Sequence, residues 1–91
     1  MKFDFNIQGM SYSIPEHMRQ GLQNYLELGV APGSFLKCIL ANDFVMAACC
    51  ADIDNIRSLP AYSAFLYDEC PVAAWGSYKH VDEWIKYRTG E

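Results

Sequence analysis

Trp75, Gly76 and Ser77, followed by Lys79 and His80, place an aromatic ring, a turn glycine, a hydroxyl and two basic side chains within six residues. The free amides of a helix N-terminus hold anions, and a neighbouring ring can stack on a planar group. This combination suits a nucleotide. The competing reading is local: Trp75 staples the loop to the core while Ser77 caps the next helix. The turns Asn42-Asp43 and Asp52 to Asn55 are the other candidate recognition elements. Pro32-Gly33-Ser34 also offers exposed amides, with weaker flanking charge.

The remaining reactive side chains lack a partner at useful spacing. Asp52 and Asp54 begin like a calcium loop, but the sixth and twelfth positions, which need glycine and glutamate, are Arg57 and Ser63. Capping is the expected role of these carboxylates, because acidic residues are stabilised at a helix start. His17 and His80 have no Cys or Asp at ligand spacing on their own helices, so no metal site is expected. Cys38, Cys49, Cys50 and Cys70 form no C-x-x-C pair, three of them sit among apolar neighbours, and all four read as reduced core thiols. A cysteine nucleophile needs a base and an electropositive setting, and Cys49 and Cys70 have Ala, Met, Asp and Glu around them. No catalytic residue and no cofactor are expected.

Helix-length segments must position these groups. Ser13 and Glu16 fit a capping box around Pro15, and Met18, Leu22, Tyr25 and Leu26 form an apolar stripe that Gly29 ends. Arg19, Gln23 and Asn24 fall on the opposite side. Pro32-Gly33 opens a second helix with Phe35, Leu36, Ile39 and Leu40 facing inward, and Asn42 or Asp43 ends it or caps the next. The run from Phe44 to Ala51 is apolar nearly all round, which predicts a helix at the centre of the core. Asp52 or Asp54 caps a further helix lined by Ile56, Leu59, Tyr62, Phe65 and Leu66, which Pro60 kinks or restarts. Pro71 ends it, and Ser77 caps a last helix with Tyr78, Val81, Trp84 and Ile85 on one face.

At the N-terminus, Met1, Phe3, Phe5 and Ile7 alternate with polar residues at the period of a strand. A lone strand needs a partner, either through a hairpin at Gln8-Gly9 or from a second copy. The expected fold is therefore all-α: a single domain over 1–91, with a strand or hairpin segment at 1–12 and a helical core at 13–89. Four to five short helices and a homo-oligomeric state are expected.

Composition supports this reading. Hydrophobic residues make up 52% of the 91-residue chain, enough for one filled core without disulfides. A formal charge of −4 repels a phosphate backbone, which argues against duplex nucleic acid. No apolar run reaches the length of a membrane span, and MKFDFNIQG lacks that of a signal peptide, so a cytosolic location is expected.

Taken in order, IPEHM at 14–18, PGSFL at 32–36, Asn42-Asp43, FLY at 65–67, Pro71 and WGS at 75–77 resemble a family of small phage and prophage proteins. The ordered spacing, with Tyr25, Asn55 and Trp84 between and after these motifs, carries the likeness over about residues 14–87. The resemblance implies a non-enzymatic phage accessory protein acting in the bacterial host cytosol and countering host defence by binding. It could sequester a small nucleotide signal. Alternatively, it could block a host protein through an acidic surface bearing Asp43, Asp52, Asp54, Asp68 and Glu69.

Overall fold

The computed structural model describes residues 13–90, and within them the chain folds into helices with no strand. The expected strand segment at 1–12 lies outside the described residues. Six helices are present among the described residues: α1 (Glu16–Leu28), α2 (Ser34–Leu40), α3 (Phe44–Cys50), α4 (Ile53–Arg57), α5 (Leu59–Asp68) and α6 (Tyr78–Thr89). A 3-10 turn at Val72–Ala74 joins the last two. The count exceeds the expected four to five because Pro60 does not kink one helix. Helix α4 ends at Arg57, and after Ser58 α5 restarts with the proline in its first turn, where a missing amide donor costs nothing.

Helix α1 follows its apolar stripe, burying Leu22, Tyr25 and Leu26. Its end is set by Gly29, whose φ of 70° places it in the left-handed region. Its start differs from expectation. Pro15 precedes the helix, and no side chain caps it, so the Ser13/Glu16 box does not form. Arg19 occupies the Ser13 hydroxyl instead, at 3.2 Å, and donates from Nε to the Ile14 carbonyl at 2.9 Å. These bonds draw Arg19, expected outside, into a half-buried position. Ser58 Oγ donates to the Ser13 carbonyl at 2.9 Å, tying the entry of α1 to the α4–α5 junction.

The core lies between α1, α2, α5 and α6. Leu22, Tyr25, Leu26, Leu40, Phe65 and Val81 are wholly buried in it. The Phe35 and Tyr62 rings meet edge to face at a centroid distance of 5.3 Å, the favoured arrangement for aromatic quadrupoles. Two long-range bonds orient the large side chains. The Tyr25 hydroxyl donates to the Ala74 carbonyl at 2.6 Å, and Trp84 Nε1 donates to the Tyr25 carbonyl at 3.2 Å. Burial raises the Tyr25 and Tyr62 hydroxyls above the ordinary phenol range.

Helix α3 is the main departure from the expected packing. It is not central. Only Ala47 is fully buried, against α2, while Phe44, Val45 and Met46 are 71%, 67% and 48% exposed. Two turns of helix with a small contact residue can sit flat against a neighbour on one narrow side only. The apolar run therefore surfaces.

Candidate functional site

The site is assembled at the corner between α2 and α3. Asn42 adopts φ 60°, a left-handed conformation that Asn tolerates better than most residues, and this turns the chain between the helices. The amides of Asn42 and Asp43 close the corner on the carbonyls of Ile39 and Cys38, at 3.1 and 2.9 Å. Both alternatives read at this pair hold together: Asn42 ends α2, and Asp43 caps α3 by accepting the Met46 amide at 3.3 Å.

The second oxygen of Asp43 accepts the Tyr78 hydroxyl at 2.6 Å. That bond fixes the carboxylate against the first turn of α6. Tyr78 also lies 3.7 Å from Cys38 Sγ. The hydrogen bond to Asp43 holds the phenol protonated far above its usual range, with Cys38 adding to the effect.

Trp75 reaches the corner from the other side. Its carbonyl is 2.9 Å from His80 Nδ1, and the Gly76 amide donates to the Leu40 carbonyl at 2.8 Å, clasping the loop to the end of α2. Gly76 has φ 120°, a conformation open to glycine, and a Cβ there would lie 3.1 Å from the His80 ring. Ser77 caps α6 by accepting the His80 amide at 3.0 Å, as its position indicated.

These elements enclose an open pocket of about 470 Å³ between the α2–α3 corner and α5. Ile39, Leu59 and Leu66 form its apolar wall. Among the described residues, four rings line it: Phe44, Tyr62, Tyr67 and Trp75. Of the same residues, Asn42, Asp43, Ser63 and Tyr67 supply its polar groups, and no Lys, Arg or His among them takes part in the lining. An apolar pocket with a few convergent polar groups is the usual form of a recognition site.

The candidate residues divide into two groups. Trp75, Asn42 and Asp43 meet in the pocket. Gly76 supports it through the backbone, whereas the Ser77 hydroxyl is taken by its own helix and Lys79 lies 3.8 Å from Glu83 on the exposed face of α6. Asp52 and Asn55 do not line the pocket. Asp52 caps α4 through the Asn55 amide at 2.8 Å and sits 3.8 Å from His17 Nε2. Asn55 is buried and accepts the Tyr62 hydroxyl at 2.8 Å, a structural bond beneath the pocket wall.

No family model matches the chain, and no curated protein or solved structure matches it either. The assignment therefore rests on geometry. The sequence places Phe44 and Tyr62 in the core and Tyr67 only within the FLY motif, and points to none of the three as lining a pocket. Their helical phase was informative, but their convergence depends on where α3 and α5 dock.

The four cysteines are free thiols; Cys38 and Cys70 are buried, and Cys49 and Cys50 are exposed. The exposed pair departs from the core position expected for them, because α3 buries only Ala47. Cys50 is raised by desolvation and then by Cys38 beside it, while burial pushes the Cys70 thiol up to about 12. Among the described residues, no three His, Cys, Asp or Glu side chains group closely enough to hold a metal ion. No helix among them is long and apolar enough to cross a membrane.

Proposed function

We propose that this protein is a non-enzymatic binding protein whose working surface is the pocket between the α2–α3 corner and α5. A protruding side chain of a partner protein is the occupant that its shape favours. One observation carries this reading: Phe44 and Tyr67, 71% and 84% exposed, flank a recess that also holds Trp75 and Asp43. Exposed apolar groups around a recess are characteristic of interaction surfaces, where aromatic anchors contribute much of the binding energy. Together with the resemblance to small phage proteins, this supports a protein that blocks a host protein inside the bacterial cell.

The test is capture of partners from bacterial lysate by wild-type protein and by a Phe44→Ser/Tyr67→Ser variant with unchanged circular dichroism. The reading predicts that the variant loses a partner that the wild type retains. Equal capture by both would remove the pocket as the working surface.

Sequestration of a nucleotide-type signal is the second reading, favoured by a lining that holds both the Trp75 ring and the Asn42 amide. A nucleotide would enter base first, since the described lining residues offer no cation to its phosphates. Calorimetry against cyclic nucleotides, with recovery of intact ligand, checks it. The homo-oligomeric state expected from Phe3, Phe5 and Ile7 belongs to the same proposal, and native mass measures it.

A further inference from the structure

We propose that the pocket takes the cationic end of a basic side chain, arginine or lysine, presented by a partner protein. The rings of Phe44, Tyr67 and Trp75 would surround the cation, and the Asp43 carboxylate would supply its counter-charge. This inference rests on the protein-partner reading above and specifies the chemistry of that partner.

Three observations converge on a cation. First, the lining contains four aromatic rings, whose negative faces attract cations. Second, the one carboxylate among the described lining residues, that of Asp43, is fixed in place, receiving the Met46 amide on one oxygen and the Tyr78 hydroxyl on the other. Both donors are neutral, and none of the described lining residues is a cation that pairs with Asp43. Third, Ile39, Leu59 and Leu66 offer an apolar wall along which the methylene stem of a long basic side chain can lie.

The other ligand classes use this arrangement less well. An anion would meet Asp43 with no positive residue among the described lining to offset the repulsion. A neutral aliphatic group would exclude water from a carboxylate and return no charge to it. A guanidinium uses every component at once: its plane stacks on a ring and its N–H groups face the carboxylate. The net charge of −4 acts in the same direction at longer range, favouring encounter with a basic surface.

The experiment is an NMR titration of the full chain with N-acetylarginine amide and with N-acetylcitrulline amide, which have nearly the same length and shape and differ in charge. The Trp75 indole N–H and the ring signals of Phe44 and Tyr67 report occupancy. Arginine amide is expected to shift these signals saturably, with citrulline amide roughly tenfold weaker, a difference that added salt reduces. Asp43→Asn, which retains a capping side chain, is expected to bring the two probes close to parity. Tyr67→Leu alters an exposed ring without touching the bonds of Asp43, and is expected to weaken arginine amide more than citrulline amide.

Equal shifts by the two probes overturn the cation while leaving a partner site intact. Absence of shifts with either probe also overturns it, and the lysate comparison of the Phe44/Tyr67 variant then decides the partner reading separately. Preferential shifts by adenosine monophosphate would overturn both in favour of an anionic ligand.

Discussion

The Tyr78 hydroxyl donates to Asp43 Oδ2 at 2.6 Å, joining residues 35 positions apart in the chain. The same carboxylate caps α3 through its other oxygen, so one side chain sets both the start of α3 and its position relative to α6. Asp43, Phe44 and Ala47, which line the pocket on the α3 side, adjoin that corner. Removing the hydroxyl by Tyr78→Phe is expected to release Asp43 from α6 while preserving the cap. Amide exchange should quicken at Met46 and Ala47, with a small fall in the urea midpoint. Unchanged protection would show that the bond contributes nothing to the corner.

Tyr25→Phe should be more damaging. The buried Ala74 carbonyl would lose its hydroxyl donor in a site that water does not reach, at a cost of about 1–3 kcal/mol. Equilibrium urea unfolding measures this directly, and the slope should be preserved because the exposed surface hardly changes.

Gly29→Ala strains α1 at its end and opens the seam with α6. A Cβ at φ 70° would lie 2.8 Å from Arg88 Cβ and 3.0 Å from the Ile85 carbonyl. The left-handed conformation alone costs an alanine roughly 1 kcal/mol, and the contacts add to it. A loss above about 1 kcal/mol in chemical denaturation is expected; a neutral substitution would contradict the close α1–α6 approach.

Thiol labelling should divide the cysteines by position. Iodoacetamide is expected to modify Cys49 and Cys50 in the folded protein, with Cys50 requiring higher pH because its thiol is raised. Cys38 and Cys70 should react only on unfolding. Peptide mapping after timed alkylation distinguishes the four, and early labelling of Cys70 would contradict its burial.

Cys70 also gives a pH dependence. Its thiol rises from 9.0 to about 12 on folding, so above pH 9 the unfolded chain loses its proton first. The associated stability is fully present below 9.0 and is lost as pH rises towards 12. Urea midpoints measured from pH 7 to 11 should fall at the alkaline end, less steeply in Cys70→Ala. A parallel fall in both proteins would assign the loss to the buried tyrosines, which shift in the same direction.

The helices and their caps were legible in the sequence because the interactions that define them are local. Gly29 ends α1, Asp43 and Asp52 open α3 and α4, and Ser77 opens α6, in each case through groups within a few residues. The failure at Ser13 has a physical cause: Arg19 and Ser58, the latter 45 residues away, take up the groups around it. Asn55 likewise becomes buried through Tyr62 on the next helix. Periodicity could state that α3 is apolar, but not how much of that surface neighbouring helices cover. Tertiary packing buried Ala47 and left Phe44 outside. It also brought Asp43 to Trp75 and Tyr67 across the chain. Local sequence therefore determined where helices begin and end, while the docking of distant helices, which balances burial over the whole fold, decided which of their side chains form a site.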